Sequence, residues 1–546
     1  MVPVPNLLAP LLAILLAFAP SSSKADDAGT ASAGLSAERI WRRGEPGDPG
    51  SLDPHKATTV IESHILTELY EGLVILDARG RIQPGVAKSW SISEDGRLYR
   101  FQLREDARWS NGDPVTAQDF VYAFRRLMDP ATGAPYANIL YTLKNAEKVN
   151  KGLLPPESLG ITAITDHVLE ITLEEPVPYL IAQLAHLTAK PLHRHSIEAT
   201  HGDFVHPGRI VTNGPFMLAD FNPNDRLVLV KNPHHYDAAA IGLDKEIFIP
   251  LEDRSAALRR FLSGEIDSYS DVPVDQIAFV RKIAGERFKL SPNLGTYVYA
   301  FDTRHPPFDD ARVRTALSLA IDREFLAERI WGGTMEPGYS FVPPGIESYG
   351  PPAELTFRNM TPFEREDRAR ALLAEAGYGP GGQGPRKVLK AEIRFNISEN
   401  HRATAIAVAD MWKRIGVETS LVATDVTSHY AFMRERPPYS LLRYGWFADF
   451  PDAQNFLFLA ESGNKGLNIS GFSNSAYDAL MHDAAGEADA TKRTALLHQA
   501  EMLLLQEGPY LPLMIFKAKN LVSPKLHGWH ENALDTHPGR FISIDP

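Results

Sequence analysis

The feature that most constrains the fold is the alternation of helical and strand patterns after Asp310. Apolar residues recur at helical spacing from Val313 to Ile321, and the segments that follow switch between helical and strand periodicity. The predicted elements are a helix over Arg368 to Ala376, a strand over Leu389 to Phe395, a helix over Ala403 to Arg414, a strand over Glu418 to Val422, a helix over Lys492 to Gln506 and a strand over Tyr510 to Phe516. Helices that alternate with strands indicate an α/β domain with a largely parallel sheet.

Residues from about 60 to 200 follow a different pattern. Apolar and polar residues alternate from Tyr99 to Leu103 and again from Leu169 to Leu173, which is typical of half-buried strands. Between them, Thr116 and Asp119 resemble a capping box in front of a helix. Apolar residues then recur at helical spacing in that helix: Phe120, Val121, Phe124, Leu127 and Met128. This part of the chain is predicted to be an α+β module.

Length, charge and cysteine content exclude several classes of protein. The chain has 546 residues, enough for several domains. The net charge of −12 argues against a general nucleic-acid binder, which would carry a basic excess. The sequence contains no cysteine. Disulfides, thiolate metal sites, cysteine nucleophiles and a lipid-anchored cysteine are therefore excluded.

The amino terminus has the pattern of a secretory signal peptide. Leu7 to Ala19 is an apolar run of suitable length, although no Lys or Arg precedes it. Ser23-Lys24-Ala25 resembles a small-residue cleavage site, so residues 1–25 are predicted to be removed. Since no other stretch is apolar for long enough to span a membrane, the mature product is expected to be exported, soluble and not lipid-anchored.

Tyr439 to Asp449 is the stretch that most directly suggests a function. It is mostly apolar and aromatic, which predicts a buried or half-buried strand that runs into a turn. It nevertheless contains one cation, Arg443, and one anion, Asp449, which share the parity of Gly445 and so the same face of an extended segment. Charges are rarely buried without partners. A guanidinium and a carboxylate at the two ends of one face match a zwitterion such as a short peptide. In the alternative interpretation, both charges pair with other side chains of the protein and the aromatic residues are ordinary core.

Several further stretches make the chain resemble the extracellular solute-binding proteins, family 5, of peptide ABC importers, and among these most closely the oligopeptide-binding proteins. The similar stretches occur in the same order from about residue 50 to about residue 520. They are Leu69-Tyr70-Glu71-Gly72-Leu73, Pro84-Gly85-Val86-Ala87, Trp109-Ser110-Asn111-Gly112-Asp113-Pro114-Val115-Thr116-Ala117, Asp119-Phe120-Val121-Tyr122, Val211-Thr212-Asn213-Gly214, Val313-Arg314-Thr315-Ala316-Leu317 and Leu372-Leu373-Ala374-Glu375-Ala376-Gly377-Tyr378.

The resemblance implies a bilobed periplasmic-binding-protein fold: two α/β lobes joined by a hinge, with an α+β domain inserted in the first lobe. Lobe I would comprise residues 26–59, 198–300 and 516–546, the inserted domain residues 60–197, and lobe II residues 301–515. The ligand would lie between lobes that close over it. The implied partners are a short peptide and an inner-membrane ABC permease, and the chain is expected to be a periplasmic monomer that needs no cofactor.

The resemblance also implies which residues bind the peptide. Asp449 matches the carboxylate that holds the peptide α-ammonium, and Arg443 and His401 match the groups that hold its carboxylate. His401 is predicted to lie at a helix amino terminus, which favours an anion. Gly445 and Phe447 would offer backbone groups, and Asp48 lies near an acidic position of the family. The remaining candidates would line side-chain pockets: Tyr136, Tyr297, Tyr299 and Trp446.

Competing functions have weaker support in the sequence. The histidines His193, His195, His201, His206, His234 and His235 are clustered, but no carboxylate spacing suggests a zinc motif, so solvated side chains and no metal are expected. The motifs of common hydrolases and of P-loop enzymes are absent, which makes a secreted peptidase the less favoured function. A murein-tripeptide or dipeptide binder, or a sensor subunit of the same family, remains an alternative.

Overall fold

The computed structural model describes residues 38–379 and 387–545. The predicted signal peptide lies outside these residues. Within the described ranges, no helix is both long enough and apolar enough to cross a membrane.

Among the described residues, the amino-terminal half contains eleven strands and seven α-helices, in the following order. They are β1 (Ile40–Glu45), α1 (Val60–Leu69), β2 (Val74–Leu76), β3 (Ile82–Pro84), β4 (Ala87–Ile92), β5 (Leu98–Leu103), α2 (Ala117–Met128), α3 (Ala146–Asn150), β6 (Ile161–Thr165), β7 (Val168–Thr172), α4 (Leu180–Gln183), α5 (Arg194–Ala199), β8 (Phe216–Asn222), β9 (Arg226–Lys231), β10 (Lys245–Pro250), α6 (Arg254–Leu262), β11 (Ser268–Tyr269) and α7 (Ile277–Ala284).

The carboxy-terminal half continues with longer elements. They are β12 (Phe288–Phe301), α8 (Ala311–Leu319), α9 (Arg323–Phe325), β13 (Met335–Pro337), α10 (Pro362–Glu375), β14 (Lys390–Asn396), α11 (Glu399–Arg414), β15 (Glu418–Thr424), α12 (Val426–Glu435), β16 (Leu441–Phe447), α13 (Gln454–Leu457), α14 (Ser475–Gly486), α15 (Ala490–Glu507), β17 (Tyr510–Val522), β18 (Leu526–His527) and β19 (Ser543–Ile544).

A separate antiparallel sheet forms between residues 87 and 172, with the strand order β4-β5-β7-β6. The alternation from Tyr99 to Leu103 buries Tyr99, Phe101 and Leu103, as the sequence predicts. Helix α2 begins at the predicted capping box, in which the Asp119 carboxylate accepts hydrogen bonds from the backbone and hydroxyl of Thr116. The helix buries its apolar face, including Phe120 and Phe124, which explains why this segment forms a small α+β layer.

The main sheet has the order β15-β14-β16-β12-β17-β11-β1-β10-β9-β8, with β13 on β17. Only part of it is parallel: β14 pairs in parallel with β15 and β16, whereas β12 is antiparallel to both β16 and β17. The prediction of a largely parallel sheet is therefore confirmed for β14, β15 and β16 and wrong for β12, β13 and β17. The long strands β12 and β17 pair directly with one another, and antiparallel neighbours need no helical crossover.

Two large apolar cores lie at the two ends of this sheet. One is built from residues after Leu294, and the other mainly from residues before Phe248 together with the carboxy-terminal segment. A smaller cluster surrounds α6 and α7. Strands β12 and β17 connect the cores, and their pairing has a register irregularity between Pro292 and Thr296. The chain thus forms two α/β bodies that share a pair of long strands.

Candidate functional site

The predicted strand around Arg443 is confirmed as β16, which lies between β14 and β12 in the sheet. Leu441, Leu442 and Tyr444 are buried and fix the strand in the carboxy-terminal core. The strand ends at Phe447, so strand alternation does not decide where the Asp449 side chain points. Arg443 and Asp449 have to be located separately.

A cavity of about 910 Å³ lies at the end of β16. Its walls come from both large cores: Tyr70 and Lys190 belong to the amino-terminal part, and Trp446 to the carboxy-terminal part. Five of the predicted site residues line it, namely Tyr136, Gly445, Trp446, Phe447 and Asp449. A cleft of this volume between two bodies is large enough for a small-molecule or short-peptide ligand.

Asp449 is held in position but its charge is not compensated. Its backbone N–H donates to Asn455 Oδ1 over 2.9 Å, and Asn455 Nδ2 donates to the carboxylate over 3.4 Å. Trp446 Nε1 donates to the same Asn455 oxygen over 3.2 Å. Within the described ranges, no Lys, Arg or His forms an ion pair with Asp449. Burial raises the pKa of the Asp449 carboxyl to about 6.

A second carboxylate in the same loop is fully paired. Both oxygens of Asp452 accept hydrogen bonds from Arg493 of α15, over 2.8 and 2.9 Å. The Arg493 guanidinium lies 5.4 Å from the centre of the Tyr179 ring, and Tyr179 stacks on Phe450 at 5.6 Å between ring centres. The loop that carries Asp449 is therefore fixed by its neighbours, which leaves the Asp449 carboxylate free to bind a ligand.

Arg443 and His401 form a separate group around Tyr297 and Tyr299. The Arg443 guanidinium lies 4.9 Å from the centre of the Tyr297 ring, and the Tyr297 hydroxyl is 3.1 Å from His401 Nδ1. Burial, reinforced by the charge of Arg443, lowers the pKa of His401 to about 3, so the imidazole is neutral near pH 7. A Cβ at Gly445 would lie 3.2 Å from Arg443 Nη2, which explains why glycine fits beside the guanidinium.

These four residues do not line the cavity. Both tyrosines are fully buried. Arg443 donates a long hydrogen bond of 3.5 Å to Asn396 Oδ1, and it has no carboxylate partner in the part of the chain that the structure describes. His401 is the third residue of α11, whose N-cap provides no side-chain hydrogen bond. The guanidinium of Arg443 gives this group a positive charge that can accept an anion.

The remaining predicted residues differ in position. Tyr136 lines the cavity together with Asp449, and burial and then the Asp449 charge raise the pKa of Tyr136 to about 12. Phe447 is 49% exposed, and its ring centre lies 4.5 Å from that of Phe516. Asp48 accepts a hydrogen bond from the backbone N–H of Asn224 and does not line the cavity, so its binding role stays a prediction.

The clustered histidines are only partly solvated, and the sequence prediction was wrong for two of them. His193 and His235 are buried because each lies beside a carboxylate, Asp113 and Glu71 respectively. The other four are exposed: His195, His201, His206 and His234. No group of three or more potential metal ligands occurs in the described ranges.

Sequence reasoning missed the cationic residues of the cavity wall. Lys190, Lys519 and Arg540 all line the cavity. Lys190 lies within a mainly apolar stretch from Leu187 to Leu192, and this isolated charge was the only signal that could have identified it. Its position depends on contacts with distant segments, which the sequence pattern does not give.

Comparison with known proteins identifies the family. The family model described as "Bacterial extracellular solute-binding proteins, family 5 Middle" matches residues 81–468, more than two thirds of the chain. The chain belongs to this family. Family 5 also accounts for the architecture, because its members of known structure include bilobed binding proteins and the α/β fold is shared.

Among the similar proteins of known sequence are three family 5 proteins of Escherichia coli K12. The periplasmic murein peptide-binding protein MppA is 36% identical, with 89% of each chain covered. The periplasmic oligopeptide-binding protein OppA is 35% identical, covering 88% of this chain and 87% of that protein. The probable deoxycholate-binding periplasmic protein YgiS is 34% identical, with 91% of each chain covered. Family membership at this level of identity thus includes proteins named for different ligands.

Two solved structures have the same fold as this family 5 chain. The unliganded open form of MppA gives a TM-score of 0.80 at 35% identity, covering 93% of this chain and 98% of that one. Haemophilus influenzae OppA in complex with the peptide RPPGFSPFR gives a TM-score of 0.79 at 32% identity, covering 93% and 99%. The expected bilobed α/β fold is therefore confirmed.

Proposed function

We propose that this protein is the periplasmic peptide-binding subunit of an ABC importer, which delivers short peptides to an inner-membrane permease. The observation that carries the proposal is the Asp449 carboxylate, which lines the cavity without a cationic partner among the described residues. MppA and OppA, both named for peptides, support the ligand class. The protein acts as a monomer without a cofactor, catalyses no reaction, and reaches the periplasm through the signal peptide in residues 1–25.

The α-ammonium of the peptide binds Asp449, and the charge of the ligand provides the cationic partner that the described residues do not supply. Removing one member of such a buried charge pair typically costs about 2–5 kcal/mol of binding free energy. Arg443 and His401 bind the peptide carboxylate after the lobes close. Neutral His401 donates from the ring nitrogen that does not face Tyr297, and Arg443 supplies the positive charge.

The peptide backbone pairs with β16. Strand β14 pairs with β16 only at Leu441 and Leu442, so the segment from Arg443 to Phe447 has an edge without a strand partner within the described ranges. An extended peptide can add to such an edge by β-augmentation. Contacts to backbone and termini do not read side chains, so these particular contacts accept peptides of many sequences.

The lobes close about β12 and β17. The division proposed is lobe I (26–59, 198–300 and 516–546), the inserted domain (60–197) and lobe II (301–515). The register irregularity between Pro292 and Thr296 lies where the two strands pass between the large cores, which supports a hinge at that point.

Deoxycholate, the ligand in the name of YgiS, is the main alternative to a peptide. It is an anion without a cationic group, so it would leave the Asp449 carboxylate uncompensated in the closed cavity. The unpaired carboxylate therefore favours a ligand that carries an ammonium. Murein tripeptides and dipeptides also carry one and remain within the proposed class.

Native mass spectrometry of protein purified without refolding tests this function. We expect a carried-over ligand with the mass of a short peptide, released intact after denaturation. Free peptides added to the stripped protein should co-elute unchanged on gel filtration. Cleavage products would identify a peptidase, and retention of bile acid but no peptide would contradict the proposal.

Peptide affinity is expected to fall as the pH is lowered through about 6. The α-ammonium binds the ionised Asp449 carboxylate, whose pKa in the free protein is about 6. Below that value the free protein is protonated at Asp449, and affinity should fall by up to about tenfold per pH unit. The peptide α-amino group stays charged over this range, since its pKa is about 8. Calorimetric titrations between about pH 7 and pH 5 measure the slope, and a pH-independent affinity would contradict the assignment.

A further inference from the structure

Lys190 is a buried cation whose ammonium has no hydrogen-bond or ion-pair partner among the described residues. It follows a short turn over Leu187–Ala189, is 4% exposed and lines the same cavity as Asp449. No hydrogen bond or ion pair forms at its ammonium within the described ranges. Burial lowers the pKa of Lys190 to about 8, and the nearby charges of Glu71 and Arg540 act in opposite directions.

Glu71 forms no ion pair with Lys190 among the described residues, because its carboxylate is engaged by other side chains. It accepts hydrogen bonds from Tyr236 and Arg540, and it lies 3.1 Å from His235 Nε2. The stem of Lys190 does contribute packing, since a Cβ at Gly72 would lie 3.3 Å from its Cδ. An apolar side chain of equal length would provide the same packing. The ammonium has no structural role that the contacts reveal.

Asp449 and Lys190 line the same cavity, together with the aromatic side chains of Tyr136 and His186. The Tyr136 and His186 ring centres are 6.0 Å apart. Tyr136 responds to the charge of Asp449, and His186, whose pKa is lowered mainly by burial, also responds to the charge of Lys190. A peptide whose amino terminus is bound at Asp449 therefore extends into the cavity that Lys190 also lines.

We propose that Lys190 binds the carboxylate of an acidic side chain near the amino terminus of the ligand, so that the protein selects peptides with Glu or Asp close to their first residue. This inference rests on the proposed function, because Asp449 sets the position of the peptide. Two opposite charges without ion-pair partners among the described residues line one cavity, and a ligand that carries both an ammonium and a carboxylate neutralises both.

The test compares Ala-Glu-Ala amide with Ala-Gln-Ala amide by calorimetry. The amide removes the terminal carboxylate, which leaves the side chain as the anion. We expect the wild-type protein to bind the Glu peptide at least tenfold more tightly than the Gln peptide. The Lys190→Met variant should bind the two peptides with about equal affinity. The control Lys517→Met should keep the preference, because Lys517 lines the cavity but is paired with Glu336 at 3.2 Å.

The possible failures are distinguishable. Equal binding of both amides by the wild-type protein overturns the Lys190 assignment and leaves the peptide function intact. A Glu preference that appears only with free terminal carboxylates, or that persists in Lys190→Met, also overturns it. Failure of both peptides to bind, with or without the terminal amide, instead contradicts the proposed function.

Proton uptake gives a second readout. A bound carboxylate raises the pKa of Lys190. At about pH 8, binding of the Glu peptide should therefore be accompanied by more proton uptake from the solvent than binding of the Gln peptide. The charged groups near Lys190, Glu71 and Arg540, are common to both titrations, and buried His186 is neutral at this pH. The excess should vanish in Lys190→Met, whose melting temperature should equal or exceed that of the wild type. Equal uptake for both peptides, or a marked loss of stability in the variant, would contradict the proposal.

Discussion

Asp449→Asn is expected to lower the affinity for peptides with a free amino terminus by roughly 30- to several-thousandfold, the equivalent of about 2–5 kcal/mol. Asparagine keeps the shape of the side chain and its contact with Asn455 but removes the charge that the α-ammonium binds. Isothermal titration with a short neutral peptide at about pH 7 measures the change.

The same substitution should not destabilise the empty protein. The pKa of Asp449 is about 6 in the folded state, above the value of about 3.9 for an unfolded chain. The contribution of this group to stability is therefore fully present below about pH 4 and is lost as the pH rises through 6. Near neutral pH the buried charge costs about 3 kcal/mol, which asparagine removes. The melting temperature of ligand-free Asp449→Asn should equal or exceed that of the wild type.

Asp271→Asn is the matched control. Asp271 lines the same cavity, but its carboxylate already pairs with Arg254 Nε at 2.6 Å. Its replacement should change peptide affinity by less than about threefold, since exposed or partly exposed pairs contribute little. Unaltered affinity in Asp449→Asn, or an equal loss in both variants, would show that Asp449 is not the anchor.

Arg493→Met is expected to lower both stability and affinity. It removes the cation from Asp452, which is only 6% exposed and would remain as a buried carboxylate without a partner. Breaking a buried pair in this way costs about 3–5 kcal/mol. Arg493 also contacts the Tyr179 ring that stacks on Phe450, the residue next to Asp449. Losing this support should displace the loop and weaken peptide binding.

Urea unfolding followed by far-ultraviolet circular dichroism, together with calorimetry, measures the two effects of Arg493→Met. Lys492→Met is the control, since Lys492 is the exposed neighbour on α15 and should leave both quantities unchanged. Asp449→Asn and Arg493→Met are thus expected to differ in stability: the first should not lose stability, and the second should. Wild-type stability in Arg493→Met would contradict the structural role of the Asp452 pair.

Local patterns predicted the elements of the fold well. Strand β14 and helices α11 and α15 lie within a few residues of their predicted bounds, because their apolar periodicity is set by one buried face. The direction of neighbouring strands was not predictable in this way. The antiparallel pairing of β12 with β17 joins segments more than two hundred residues apart, and no local pattern encodes that contact.

For the candidate site, too, local patterns were informative and contacts between distant segments were not predictable. An isolated charge at the end of a mostly apolar stretch drew attention to Asp449, which lines the cavity. The sequence could not distinguish Asp449 from Asp452, because the cation that pairs with Asp452 lies 41 residues further along the chain. Lys190 was missed for a related reason: the nearby Glu71 carboxylate is engaged by Arg540, which lies at the other end of the chain.

The most direct test of the account is a cycle that combines Asp449→Asn with acetylation of the peptide amino terminus. Both proteins are titrated with the free and the N-acetylated form of one tripeptide at about pH 7. If the α-ammonium binds Asp449, the factor by which acetylation lowers affinity should be at least about tenfold larger for the wild type than for the variant. This corresponds to a coupling free energy above about 1.4 kcal/mol. An equal effect of acetylation on both proteins would contradict the claim that the ligand supplies the partner of Asp449.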